Sequence, residues 1–284
     1  MIIACSKEGR LCNRLFHFSH FIANALENQL ELSYLFFEEY LHYFDKNLSV
    51  ELSKKGIQVH SSIYRKVYLY LFARLTPKIF QNTRFYTIIR SHQAVNLGDK
   101  SLLLRSATSC VFAYGWLYRD YANFKKHAGY IRNIFTFKPE TIKIVTERLS
   151  KFKSNDIVLV GVHIRRGDYQ KYQGGKYFYS DEIYLEKMNQ LEKIFLLHGK
   201  TTCFLVVSND PRILQNSSYT APNVLIHSAA NPIEDLCALS QCNYLIGPPS
   251  SFTSWASFHG SVPLQFIESS AQELTLHSFE INCG

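Results

Sequence analysis

The residues best equipped for chemistry in this 284-residue chain lie in the run Gly161-Val162-His163-Ile164-Arg165-Arg166-Gly167-Asp168-Tyr169. It closes a nearly continuous apolar stretch, Ile157–Ile164, which reads as a strand buried on both faces. A guanidinium at the carboxyl end of such a strand can grip a phosphate through two N–H bonds. Alternation puts His163 and Arg165 on one side while the strand continues, and Gly167 permits a turn that a side chain would obstruct. An isolated Arg165-Arg166 pair would more simply meet surface acids. The strand-end position and the flanking His163, Gly167 and Asp168 favour a ligand site instead. Asp168 is the motif's one carboxylate, and its type fits either a general base or an anchor for the turn. Asp181 and Glu182 are the other candidate bases, though an acid at a helix start is stabilising in any case.

Three more segments stand where strands give way to helices. Ser208-Asn209-Asp210 follows the apolar run Cys203–Val207. Gly247-Pro248-Pro249-Ser250-Ser251-Phe252 opens a helix whose first amides and hydroxyls could receive an anion. Glu8-Gly9-Arg10-Leu11-Cys12-Asn13-Arg14 does the same near the start of the chain, where Arg10 and Asn13 could approach a sugar phosphate. Asp235 lies in the first turn of a further helix. Each segment also reads as an ordinary capped turn. The glycines match neither a G-x-G-x-x-G fingerprint nor a P-loop. Asp-x-Asp and clustered histidines are missing, so no metal is expected, and basic residues would have to stabilise a phosphate leaving group.

The elements that must position these residues alternate in type. Strands are expected at 157–164, 203–207, 223–226, 244–246 and 263–267. Helices are expected from Ser180 or Asp181 to Gly199, from Asn231-Pro232 onward, and over Ser251–His259. That alternation implies βαβ units and a parallel sheet, with ligands at the carboxyl ends of its strands. The first half begins likewise, with a strand at Ile2–Cys5, a helix over Asn13–Glu27 and a strand at Leu32–Phe36. Beyond residue 40 the pattern fades until two helices, near Tyr118–Ile134 and Pro139–Phe152. The expected domains are 1–152 and 153–284.

With 46% hydrophobic residues and 19% charged, the chain can bury a large core. The net charge of +8 suits an anionic partner without choosing one. Seven scattered cysteines without a C-x-x-C pair suggest free thiols in a reducing compartment. No signal peptide and no apolar run of about 18 residues is visible, so a cytoplasmic location is expected. Residues 64–90 interleave cations with aromatics. They read most simply as a core helix with solvated basic residues, but peripheral contact with the inner face of a membrane stays open, as does a basic nucleic-acid-binding or membrane-binding protein in place of an enzyme.

Taken in order, the four segments resemble the superfamily of GDP-fucose-dependent transferases, and most closely its bacterial α-1,2-fucosyltransferases. His163–Tyr169 is similar to the family signature His-Ile-Arg-Arg-Gly-Asp-Tyr. Val207–Asp210, Glu234–Cys242 with Ser250–Trp255, and Gly9–Phe16 are similar to its other segments. Cys12, Arg14 and the sequence after Phe252 depart from the pattern. The resemblance implies two Rossmann-like domains facing a cleft, GT-B-like, and inverting, metal-independent transfer of L-fucose from GDP-β-L-fucose to a glycan hydroxyl, α-1,2 on galactose. An α-1,6 or protein O-linked product, or another donor, is the alternative. It further implies Arg165 on the β-phosphate and His163 and Asp235 at the nucleotide. Ser250, Ser251 and Phe252 would line the diphosphate, and Asn13 would reach the donor from the first domain. Arg10, Arg166, Ser208, Asn209 and Asp210 complete the candidate donor site. His163, Arg165 and Asp168 are the catalytic candidates. GDP-fucose enters as substrate rather than cofactor, the acceptor is a glycan with a lipid-linked form left open, and no nucleic acid is expected.

Overall fold

The structure, a computed structural model, describes residues 1–5, 7, 9–45, 48–59, 62–227 and 231–283. The chain divides into two compact units, Met1–Lys138 with Cys283, and Pro139–Asn282. The division falls before the expected 152/153 because helix Pro139–Leu149 belongs with the second unit. There Arg148 pairs with Glu234, and Thr146 hydrogen-bonds Gln241.

The first unit runs β1 (Ile2–Ala4), α1 (Leu11–Asn28), β2 (Leu32–Tyr34), α2 (Glu38–Leu41), α3 (Leu48–Ser53), β3 (Ile57–Val59), α4 (Ile63–Leu75), β4 (Tyr86–Arg90), β5 (Val95–Asn96), α5 (Lys100–Thr108), β6 (Cys110–Tyr114), β7 (Tyr118–Arg119), α6 (Tyr121–Lys126) and α7 (Ala128–Ile134). Its main sheet has the order β3-β2-β1-β6-β4, with all pairings parallel. Leu15, Phe18 and Ile22 of α1 are fully buried, as the helical spacing requires. Two expectations change. The single helix over Tyr118–Ile134 is a short strand followed by two helices, because Asp120 caps α6 by accepting from the Asn123 amide at 3.1 Å. Residues 64–90 are not a core helix, since α4 buries only Ala73 and leaves one whole side exposed.

The second unit runs α8 (Pro139–Leu149), β8 (Ile157–Ile164), α9 (Asp181–Leu197), β9 (Thr201–Ser208), β10 (Val224–Ile226), α10 (Pro232–Leu239), β11 (Tyr244–Gly247), α11 (Ser251–Gly260) and β12 (Leu264–Phe266). The strand order is β10-β9-β8-β11-β12, all parallel, with Ile157 opposite Thr201 and Ile164 opposite Ser208. Successive strands step outward from β8 in one direction and then, from β11, in the other. The order therefore reverses between β8 and β11, and ligands of open α/β sheets bind at such a switch point.

Alternation along β8 assigns its two faces. Val160, Val162 and Ile164 pack with Tyr184, Met188, Leu191 and Phe195 of α9, each buried side chain contributing about 1.5–3 kcal/mol. Gly161 faces the other way. A Cβ there would stand 2.6 Å from Leu245 Cδ2 and 2.8 Å from Leu239 Cδ2, so only glycine lets α10 lie so close.

Candidate functional site

Three strand ends of the second unit meet around residues 163–169, tied by side chains. Asn209, just beyond β9, accepts from the Arg166 amide at 2.7 Å and donates to the Arg166 carbonyl at 3.3 Å. This clamp holds the turn at Gly167, whose φ of +63° favours glycine. The Tyr169 hydroxyl donates to the Pro249 carbonyl ahead of α11. His163, on the β8 face opposite α9, meets the Thr253 hydroxyl of α11 at 2.6 Å and packs against the Phe252 ring. Residues 163–169, 208–210 and 248–253 thus form one constellation.

The paired arginines have different fates. Arg165 lies over the Tyr169 ring, 5.4 Å from its centroid, with Nη2 2.9 Å and 3.0 Å from the two oxygens of Asp168. Its Nε is buried and makes no hydrogen bond among the described residues. Arg166 turns inward, donates to the Tyr179 carbonyl and to Asp181, and stacks over Phe178 and Tyr184. Asp181 also accepts from Asn216 and from Tyr219, both at 2.9 Å. The Arg166 guanidinium and the Asp181 carboxylate are therefore consumed in holding the loop. Their alternative tasks, phosphate contact and proton abstraction, are not supported by this geometry.

His163 is 2% exposed, and burial, helped by the nearby Arg165 charge, pushes it down to about 3. Its imidazole, closed off from water and engaged by Thr253 and Phe252, is held in place by α11. The side chain fixes the helix start that Ser250 caps by accepting from the Phe252 amide at 3.2 Å. No acid occupies the first turn of α11, so its free amides and positive end stay available to an anion. Gly247 allows the approach, because a Cβ would stand 2.7 Å from the His163 carbonyl. Ser251 and Phe252, half-buried, flank that helix start.

The remaining candidates are placed as follows. Ser208 is buried and accepts from the Asp210 amide. Asp210 caps the next turn and pairs with Arg212, which holds its carboxyl below the usual range. Asp235 is buried in the first turn of α10, its Oδ1 3.6 Å from His227 Nε2. His227 directly follows β10, and burial lowers its pKa. Position after a strand was the available sequence signal for His227. Thr253 carried none beyond one helical turn's proximity to Ser250.

Arg10 and Asn13 belong to the first unit. Glu8 of the same segment lies outside the described residues. Arg10 is exposed at the start of α1, which begins two residues before the expected Asn13 and has no side-chain cap. Gly9 has φ +82°, and Asn13 packs where its Cβ would stand. Arg14 closes the loop by donating to the carbonyls of Lys7, Gly9 and Phe36 and pairing with Glu39. Among the described residues no group of three or more His, Cys, Asp or Glu is placed to hold a metal ion, and no cysteine is joined in a disulfide.

The model of the family described as glycosyl transferase family 11 matches residues 102–270. No curated protein matches the chain. Among solved structures, an Arabidopsis thaliana FUT1 variant in complex with GDP is 12% identical, covers 98% of this chain and 73% of its own, and gives a TM-score of 0.59. POFUT1 in complex with GDP is 12% identical over 93% of this chain and 97% of its own, with a TM-score of 0.55. The fucosyltransferase NodZ from Bradyrhizobium is 13% identical over 95% and 96%, with a TM-score of 0.54. At these identities the likeness is one of fold, that of GT-B-like enzymes with parallel α/β sheets.

Proposed function

This chain belongs to glycosyl transferase family 11, and on that premise we propose that it moves L-fucose from GDP-β-L-fucose to a glycan hydroxyl, inverting the anomeric carbon without a metal ion. The observation that carries the proposal is Arg165 at the switch point beside the start of α11. A guanidinium and the positive end of a helix, both at the carboxyl ends of these strands, β8 and β11, are groups suited to receive a diphosphate. The donor follows from the resemblance of residues 163–169, 208–210, 234–255 and 9–16 to GDP-fucose-dependent transferases, and from FUT1 and POFUT1 in complex with GDP sharing the fold. An α-1,2 bond to galactose follows from the bacterial α-1,2 group being the most similar in those segments.

In this reading the acceptor oxygen forms its bond to the anomeric carbon as the bond to the β-phosphate oxygen breaks. The electron pair moves onto the diphosphate, and the hydroxyl proton leaves to solvent or a base. Arg165 and the α11 amides meet the charge that develops on the leaving group, and preorganised donors of this kind dominate such steps. Asp168 acts as a positioning residue, both of its oxygens holding Arg165. His163 positions α11. Asp235, Ser250, Ser251 and Phe252 supply the rest of the donor site in the second unit.

Thermal-shift screening against GDP, UDP and CMP sugars tests the donor. Stabilisation by GDP-fucose is expected, and preference for a UDP sugar would defeat the assignment. Arg165→Ala should lower transfer at least ~100-fold, the scale of one lost oxyanion-type contact, with melting unchanged. Glycosidic linkage analysis of the product decides between α-1,2 and α-1,6.

A further inference from the structure

The exposed side of α4 has no place in the donor site. A helix that is apolar on two sides must be covered on both, and α4 is such a helix. Inward, Ala73, Leu69 and Phe72 pack on the sheet residues Ile3, Ile88 and Phe112. Tyr70 meets the Tyr114 hydroxyl at 3.0 Å, and Arg90 caps the far end by donating to the Ala73 and Thr76 carbonyls. The helix is thus firmly seated. Outward, Tyr64, Tyr68, Leu71 and Leu75 form a stripe at helical spacing, with Tyr64 86% and Tyr68 68% exposed. Ile79 and Phe85, also strongly exposed, extend the apolar surface beyond the helix. Isolated exposed apolar residues are unremarkable, but contiguous ones mark an interaction surface.

Charge identifies the partner. From Leu52 to Gly98 the chain has eight Lys and Arg and no Asp or Glu, so this segment holds a charge equal to the whole net +8. Lys54 and Lys66 are paired with Glu51 and Glu38. Arg65, Arg74, Lys78 and Arg84 form no ion pair among the described residues. Aliphatic and aromatic side chains flanked by uncompensated cations are what an anionic bilayer surface receives from an interfacial helix. A nucleic acid would use the cations and the rings but would gain little from Leu71, Leu75 and Ile79.

We propose that α4 and the segment through Phe85 dock the first unit on an anionic lipid bilayer, with Tyr64, Tyr68, Leu71 and Leu75 entering the headgroup layer and Arg65, Arg74 and Lys78 meeting lipid phosphates. No helix among the described residues is long and apolar enough to span a membrane, so the attachment is peripheral and reversible by salt. It is independent of the donor assignment.

The test is flotation of the full chain with phosphatidylcholine vesicles with and without phosphatidylserine. The protein should float with the anionic vesicles only and be released by added salt. The combined Arg65→Glu, Arg74→Glu and Lys78→Glu variant, and the combined Tyr68→Ser, Leu71→Ser and Leu75→Ser variant, should each bind at least about ten-fold more weakly, since each cation near an anionic surface counts for a severalfold change in affinity. Unchanged thermal unfolding and circular dichroism would show that both variants remain folded. Absence of flotation, equal binding to neutral vesicles, or variants that bind like the parent would overturn the proposal. So would a lipid-free dimer that the Tyr68→Ser combination dissolves, or salt-sensitive binding to an oligonucleotide without vesicle binding.

Discussion

Replacing Asp168 by asparagine decides between the two tasks its position allows. In the structure both carboxylate oxygens lie at Arg165 Nη2, 2.9 Å and 3.0 Å away, and the Asp168 side chain is 52% exposed. An ion pair that open to water contributes at most about 1 kcal/mol. Asparagine keeps the size and one acceptor, so melting should move by no more than a few degrees. If Asp168 only steadies the guanidinium, transfer should lose a fraction of that pair energy, a fall in kcat of at most about five-fold, with the pH–rate profile keeping its shape. If it removes the acceptor proton, the loss should reach ~100- to 10,000-fold, and the limb of the profile reporting the base should vanish. The assay is initial-rate transfer from GDP-fucose to a soluble galactoside across pH 5–9, alongside thermal unfolding. A hundred-fold loss together with a vanished limb would refute the positioning role.

Three further outcomes follow from the same contacts. Thr253→Val deprives the buried His163 Nδ1 of its partner and should cost about 1–3 kcal/mol, a drop in melting temperature of roughly 3–8 °C; unchanged calorimetry would mean the contact is idle. Arg166→Ala leaves Asp181 without its cation and should cost about 2–3 kcal/mol, short of the fully buried case because Asp181 is partly exposed. Adding Asp181→Asn should restore part of that loss in a double-mutant cycle, and strict additivity would deny the coupling. Acid should also destabilise the fold. Burial lowers His17 and His163 to about 3 and His20 to about 4, so each contributes stability that is full above the unfolded value of about 6.5 and fades as pH falls toward 3–4. At pH 5.5 the loss should be roughly 1.4 kcal/mol per histidine, read as lower urea midpoints than at pH 7.5; flat midpoints would contradict the burial of these rings.

The second unit was legible in the sequence because its signals are local. Ile157–Ile164 is apolar on both faces, Asn231-Pro232 carries its own cap with Asn231 accepting from the Ile233 amide at 3.1 Å, and Ser250 begins α11 as its type suggests. The middle of the first unit was not, because distant partners decide it. Asp120 breaks the expected helix, but its place is set by residues of α1, the Asp120 amide donating to His20 and its carboxylate accepting from Asn24. No spacing near residue 120 reveals partners some hundred positions away. The basic, aromatic α4 was misread for a related reason. Its composition allows a buried or an exposed outer side, and only the packing of its inner side on the sheet shows which residues are left over.

Residues 165 and 166 show the same limit at the scale of the site. Sequence offers two identical guanidiniums at one strand end, and by alternation they must point in opposite directions. What separates their roles is what each direction contains. Inward lie the Tyr179 carbonyl, Asp181 and two aromatic rings, which exhaust Arg166. Outward, Arg165 finds the Tyr169 ring and Asp168, the latter more than half exposed to water. The inner arginine makes the outer one useful. With Arg166 anchored, its backbone clamped by Asn209, and Tyr169 tied to Pro249, the loop holding Arg165 is fixed from three strands before any ligand arrives. A donor fixed in this way needs little reorganisation when charge develops on a leaving diphosphate, and that is the condition under which a single guanidinium stabilises the transition state more than the bound substrate.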